Sequence, residues 1–319
     1  MAGRRRARLL LGLRVVLSAA MLAVLLPRID LASLIPRQHQ VSTLGWLAAG
    51  VAVYALAVFL STVRWGQVLH ALGIPSDLPP LLSHTLAGMF VSNFLPTTVG
   101  GDVLRVARLS AVNGRRHASI ASVVVERLTG FLVLPFISLV ALVGNPALLD
   151  LGRATRFAVT LALVTLVALA AILLVVSNRR LGARVASHRW LGFVSTAHLG
   201  LTRLRRDPGA AVGVLVSALA YQLTMVAGAW MAGHALGLEV GWSAMMAFVP
   251  IVAIAQVLPL SVNGLGLREG ALVLLLAPLG VTAGQAVALG LLLYGMNMVV
   301  SLLGAPAFAV GPRPARMAA

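Results

Sequence analysis

Two stretches of this chain carry residue types that can hold an anion. The first reads Leu95-Pro96-Thr97-Thr98-Val99-Gly100-Gly101-Asp102-Val103-Leu104-Arg105. The second reads Leu258-Pro259-Leu260-Ser261-Val262-Asn263-Gly264-Leu265-Gly266-Leu267-Arg268. Leu, Pro, a hydroxyl residue, Val, Gly, Leu and Arg recur at the same spacing without a gap. Pro96 and Pro259 end a helix, because proline lacks the amide hydrogen that continues one. Gly100, Gly101 and Gly264 let the chain turn and restart. A helix restarting near Asp102 or Gly264 then aims free backbone amides at the break, where they attract an anion. Thr97, Thr98 and Ser261 add hydroxyl donors. Arg105 and Arg268 are read as lying on the first turn, where a guanidinium fork can grip phosphate. Asn263 completes the second set. The plainer reading is that Pro and Gly kink helices, Asp102 caps one, and each Arg snorkels to the membrane surface.

Acids in apolar surroundings point the same way. Glu126 and Arg127 open one apolar segment, Asp102 lies in the first break and Glu269 in the second. A charge at mid-membrane costs about 2.5–3.5 kcal/mol on insertion scales, so it is functional or paired. Glu126, Arg127 and Glu269 are therefore candidates for gating or coupling, in a network with Asp102, Arg105 and Arg268. The alternative is structural ion pairing.

These residues need elements to hold them, and composition says which. Hydrophobic residues are 60% of 319 and charged residues 10%, far below the roughly quarter that soluble domains carry. Apolar segments lie at about 9–26, 44–63, 81–99, 119–143, 157–176, 210–236, 244–260, 270–279 and 284–310. Several have the roughly 20 residues that cross a bilayer. The expected fold is an all-α polytopic membrane protein with about six full spans and two re-entrant helical hairpins. It forms a single membrane domain over residues 1–319. Arg4-Arg5-Arg6-Ala7-Arg8 before Leu9 imitates a signal peptide, but the apolar part is long for one, so it reads as a retained first span.

Every basic residue counted in the net charge of +17 is Arg. Arg marks cytoplasmic loops and meets anionic headgroups. No basic stretch is interleaved with base-stacking aromatics, so nucleic acid is not an expected partner. If the segments at about 81–114 and 244–279 dip in and return, the clusters at Arg4–Arg8, Arg64, Arg105–Arg116, Arg179–Arg206 and Arg313–Arg316 share one side. Both termini are then cytoplasmic and the protein sits in the cytoplasmic (inner) membrane. The two breaks enter from opposite sides, as in an inverted repeat, where paired broken segments mark a transport site. The repeats are expected at about 44–143 and 210–310, joined by a basic cytoplasmic loop at 178–209. That loop reads as solvated, with a surface helix carrying Trp190 and Phe193 as the alternative.

Other features carry less chemistry. Cysteine is absent, which removes disulfides and thiolate sites. The seven histidines show no ligand spacing. Gly264-x-Gly266 follows no strand and is no dinucleotide fingerprint. Arg64-Trp65 reads as an interface anchor, with lipid contact as the alternative. No catalytic set, metal site or cofactor is expected.

The run Asn93-Phe94-Leu95-Pro96 to Gly100-Gly101-Asp102 with Arg105, then Glu126-Arg127-x-x-Gly130, then Leu258-Pro259 with Gly264-x-Gly266-x-Arg268-Glu269-Gly270, resembles the lysylphosphatidylglycerol synthase transmembrane (flippase-type) family. Arg64-Trp65 with Leu69 and Leu72-Gly73 fits it too. The resemblance spans nearly the whole chain and brings Asn93 into the substrate-binding set. In larger relatives it implies a membrane region that moves a modified lipid between leaflets beside a cytosolic aminoacyl transferase. Shorter relatives stand alone, and some suggest polyprenyl-phosphate sugars as substrates. The chain ends at Ala319, past the last span, so lysyl transfer is not carried over.

The expectation is a lipid translocase acting on an anionic phospholipid or a polyprenyl-phosphate-linked lipid, and not an enzyme. A membrane-embedded lipid-phosphate transferase is one alternative. A membrane partner that positions a soluble lipid or glycan enzyme is the other. Membrane lipids are the expected partners, with a homo-oligomer or a soluble enzyme as further possibilities.

Overall fold

The computed structural model describes residues 40–74, 76–94, 100–177, 198, 201–202, 206–257 and 264–311. Ten α-helices and no strand are found among them. They are α1 (Gln40–Ala71), α2 (Leu78–Phe94), α3 (Gly100–Asn113), α4 (Arg116–Gly144), α5 (Arg153–Ser177), α6 (Pro208–Ala235), α7 (Trp242–Ala255), α8 (Leu267–Leu276), α9 (Ala283–Ser301) and α10 (Gly304–Val310).

Five helices are long and apolar enough to cross a membrane: α1, α4, α5, α6 and α9. A water-filled surface would leave their side chains unexplained. Val143 is 75% exposed and Val167 70%, which fits hydrocarbon contact on a multi-pass membrane protein. The expected first span at 9–26 lies outside the described residues, as do most of the loop 178–209 and both prolines of the repeated motif.

The helix ends follow local rules. α1 stops at Gly73 and α6 at Gly237, each in a left-handed conformation with φ of 69° and 70°. In both, the next residue donates its amide five residues back, Ile74 to Leu69 and Leu238 to Gly233, each at 2.9 Å. This is a Schellman stop, which glycine makes without strain. α6 starts on Asp207, whose carboxylate accepts from the Ala210 amide at 3.0 Å, with Pro208 in the first helical position.

α1 and α6 run antiparallel and pack along their whole length. Trp46 faces His234, Tyr54 faces Gly228, Arg64 faces Tyr221 and Gln67 faces Ser217. α4 packs on α7, and α9 on α2; α2 pairs with α3, and α8 with α9 and α7. One core of Phe248, Ile251, Leu272, Leu275 and Leu289 sits between α7, α8 and α9, closed by Leu134 and Leu142 of α4.

Several sequence expectations change. The helix after the first break starts at Gly100, before Asp102, and the one after the second starts at Leu267 rather than near Gly264. Arg105 is therefore on the second turn of α3, whereas Arg268 is on the first turn of α8. The aligned motif does not give aligned helix positions. The span read at 44–63 continues to Ala71, so Arg64 and Trp65 lie within it. They are 4% and 0% exposed and are not an interface anchor. Glu126 and Arg127 do not open their span. They lie about 15 Å along α4 from its start at Arg116. Within the apolar run 244–260, α7 ends at Ala255, and 284–310 divides at Leu302 and Leu303 into α9 and α10.

Candidate functional site

The first break gathers its charges from three helices. α1 supplies Arg64, α3 supplies Asp102 and Arg105, and α4 supplies Glu126 and Arg127. Glu126 is 1% exposed. Its Oε1 accepts from Arg64 Nη2 in a buried ion pair, and its Oε2 lies 3.4 Å from Arg105 Nη1. Arg105 Nη1 also approaches Asp102 Oδ1 at 3.4 Å. Asp102 takes a two-pronged contact from Arg127, Nε to Oδ2 at 3.1 Å and Nη2 to Oδ1 at 3.0 Å. Asp102 is thus an ion-pair partner as well as a first-turn acid.

Close packing fixes this geometry. A methyl at Gly101 would overlap the Gly88 carbonyl oxygen and the Ser92 hydroxyl, so α3 can cross α2 only with glycine there. The Gly101 amide donates to Ser92 Oγ at 3.1 Å. A methyl at Gly130 of α4 would sit 2.8 Å from Arg64 Nη1, so that glycine leaves room for the guanidinium. Trp65 Nε1 donates to Ser122 Oγ at 3.1 Å, and its ring carries the Arg105 guanidinium at 4.1 Å, a cation–π distance. Arg108, one turn beyond Arg105, donates to the carbonyls of Ala307 and Phe308 at 2.9 and 3.0 Å. It thereby ties α3 to the end of α10.

Three arginines meet two carboxylates in this cluster, one cation more than the acids balance. Arg64 Nε and Nη1 and Arg105 Nε and Nη2 are buried with no hydrogen-bond partner among the described residues. His84 Nδ1, Thr85 Oγ1 and Asn93 Nδ2 on α2 are in the same condition. Buried donors left unpaired cost about 1–3 kcal/mol each, more when charged. A set concentrated on α1, α2 and α3 therefore has the character of a polar site that takes an acceptor.

The second break differs. Arg268 donates to Glu269 Oε1 from Nε at 3.0 Å and Nη2 at 2.7 Å. Glu269 Oε2 accepts from the Gly266 amide at 2.6 Å, and the residue is fully buried. A methyl at Gly290 of α9 would sit 2.9 Å from Glu269. The Arg268 guanidinium lies 5.4 Å from the Tyr294 ring centroid. This pair is neutral and closed. It does not join the Asp102, Arg105, Glu126 and Arg127 network by any ion pair among the described residues.

Of the expected substrate set, Gly100, Gly101, Asp102, Arg105, Gly264 and Arg268 are described and lie at the two breaks. Asn93 on α2 accepts from Asn297 of α9 at 3.2 Å. Pro96, Thr97, Thr98, Pro259, Ser261 and Asn263 lie outside the described residues. Sequence reasoning missed Arg64 and His84 as site residues. For Arg64 a signal existed: Trp65, Val68 and Leu69 continue the apolar helical spacing past it. No group of three or more metal-ligating side chains occurs among the described residues.

The model of one family, described as the lysylphosphatidylglycerol synthase TM region, matches residues 10–304. No curated protein matches the chain.

Proposed function

This chain belongs to the lysylphosphatidylglycerol synthase TM region family, and we propose that it is a lipid translocase. It moves an anionic phospholipid or a polyprenyl-phosphate-linked lipid between leaflets of the cytoplasmic membrane. The observation that carries this reading is the set of four guanidinium nitrogens on Arg64 and Arg105 that are buried beside the first break and unpaired among the described residues, with one positive charge more than the carboxylates there balance. A lipid phosphate supplies both the acceptors and the charge. The family's link to lipid handling supports the same class of ligand.

The transport geometry is an inverted repeat with two re-entrant hairpins, α2–α3 and α7–α8, and both termini cytoplasmic. Its support is the order of helix lengths. α1 to α4 run long, short, short, long, and α6 to α9 do the same, with α5 between. The packing partners exchange under that correspondence: α4 on α7 answers α9 on α2, and α1 on α4 answers α6 on α9. The Schellman stops of α1 and α6 also correspond. None of the four short helices reaches the roughly 20 residues of a full span.

Leaflet exchange of fluorescent phosphatidylglycerol and of fluorescent polyprenyl phosphate in proteoliposomes tests the proposal, with protein-free vesicles as baseline. Exchange of at least one probe is expected. It should fall tenfold or more in the Arg64→Ala, Arg105→Ala double variant, since a charge-assisted hydrogen bond contributes about 1.5–3 kcal/mol. A well-folded double variant that exchanges lipid normally would reject the phosphate site.

A further inference from the structure

The two arginines of the first cluster that carry unpaired nitrogens each sit over an aromatic ring. The Arg105 guanidinium carbon stands 4.1 Å from the Trp65 ring centroid, and that of Arg64 stands 4.8 Å from the Tyr221 ring centroid. The carboxylate contacts of Arg105 are long by comparison. Both reach only its Nη1, at 3.4 Å, beyond the roughly 2.7–3.2 Å usual for an N–H···O bond. Arg64 gives its Nη2 to Glu126. On each arginine, Nε and one terminal nitrogen stay unpaired among the described residues.

The rings are themselves held in place. Trp65 is fully buried, packed in one cluster with Leu69, Leu81, Leu109 and Val123. Its Nε1 donates to Ser122 Oγ at 3.1 Å, and that hydroxyl donates to the Ser119 carbonyl at 2.9 Å. The stem of Arg105 is steered as well. A methyl at Gly88 of α2 would sit 2.9 Å from Arg105 Cγ, so the stem runs over a bare stretch of α2 on its way to Trp65. Tyr221 comes from α6, which packs along α1 beside Arg64. The second break uses its arginine differently. Arg268 lies farther from a ring, 5.4 Å from that of Tyr294, and Glu269 fills its Nε and Nη2 at 3.0 and 2.7 Å.

We propose that Trp65 and Tyr221 are positioning residues of the phosphate site, each holding an arginine by its charge while leaving the N–H donors open for the anion. The inference rests on the translocase reading and deepens it by naming what presents the two arginines. The physical reason is that a ring and a carboxylate hold a guanidinium by different means. A ring attracts the positive charge through its π face and offers no oxygen acceptor, so the N–H groups stay available. A carboxylate holds the same cation by filling the donors that a phosphate needs. An aromatic holder therefore fixes the cation without competing with the ligand, whereas Glu269 competes for Arg268.

Ring fluorination separates this role from packing. Fluorine nearly keeps the shape of the indole and drains the π face that attracts the cation. The measurement is leaflet exchange of fluorescent phosphatidylglycerol and fluorescent polyprenyl phosphate in proteoliposomes, beside a thermal melt. Mono-, di- and tetrafluorotryptophan placed at position 65 alone should slow exchange stepwise, to about fivefold or more for the tetrafluoro protein, while the melt stays near wild type. Tyr221 gives an independent reading, since it is only half-buried. Tyr221→Phe keeps a ring face and should exchange within about twofold of wild type, whereas Tyr221→Leu should slow exchange several-fold. If the fluorinated proteins do not fold, the Tyr221 pair decides alone. Unchanged exchange through the folded fluorinated series would overturn the role of Trp65, and equal exchange by Tyr221→Phe and Tyr221→Leu would overturn that of Tyr221. The translocase reading would stand in both cases. A wild-type protein that exchanges neither probe would overturn that reading and the positioning role with it.

Discussion

The two breaks share a motif and differ in electrostatics. Around the first, Arg64, Arg105 and Arg127 meet Asp102 and Glu126, and four guanidinium nitrogens stay unpaired among the described residues. Around the second, Arg268 and Glu269 neutralise each other and the Gly266 amide satisfies the remaining oxygen. The difference arises from neighbours the motif does not contain. The first break receives Arg64 from α1 and Glu126 from α4, whereas the second keeps its acid on the adjacent residue. A buried pair that closes on itself holds shape; the cluster with a spare cation is the one proposed to take a lipid phosphate.

The largest expected effect tests whether the first cluster depends on one shared carboxylate. Glu126→Gln leaves Arg64 and Arg105 buried without their common partner and should destabilise by about 3–5 kcal/mol, read as a loss of melting temperature in detergent. Glu269→Gln strands one arginine, not two, and should cost less. If Glu269→Gln proved the worse of the two, the contrast between an open and a closed cluster would be wrong.

Removing arginines sharpens the same contrast from the other side. Arg268→Ala strands the fully buried Glu269 and should cost about 3 kcal/mol. Arg105→Ala leaves Glu126 paired with Arg64 and should cost about 1 kcal/mol, mainly the stacking on Trp65. Lipid exchange should reverse the emphasis for Arg105→Ala, falling tenfold or more while the melt barely moves. Equal melting losses in the two variants would remove the distinction.

Backbone changes rank next. Gly101→Ala forces α3 away from Gly88 and should destabilise by roughly 1–3 kcal/mol. Gly264→Ala should cost about 1–2 kcal/mol, because Gly264 sits at φ 77°, where a side chain is strained. Smallest is Asp102→Asn. Its partner Arg127 is 52% exposed, so this pair should contribute within about 1 kcal/mol. A melt within a degree or two of wild type is the expected outcome.

How much was readable beforehand follows from what each residue needs. The membrane class needed only the apolar lengths, and the long helices needed only their spacing. The two breaks were legible from Pro and Gly, which act on their own backbone. Arg105, Glu126 and Arg127 were legible as functional candidates because a charge in an apolar run is costly wherever it lies. Arg64 was misread because its place in the helix depends on where α1 stops, and that is set by the Schellman turn at Gly73. The start of α8 was misplaced because Glu269 reaches back to the Gly266 amide.

What the sequence determined by itself is therefore local and cumulative: the multi-pass membrane class, the long apolar helices, and the motif common to both breaks. These follow from backbone geometry and from the transfer of apolar side chains out of water, neither of which depends on distant residues. Which charges share a partner was decided only by the tertiary structure. Arg64 and Glu126 are 62 residues apart in the chain and Arg108 and Ala307 are 199 apart, so only packing brings them into contact. An ion pair acts over a few ångströms, and that distance is fixed by how α1, α3, α4 and α10 pack together.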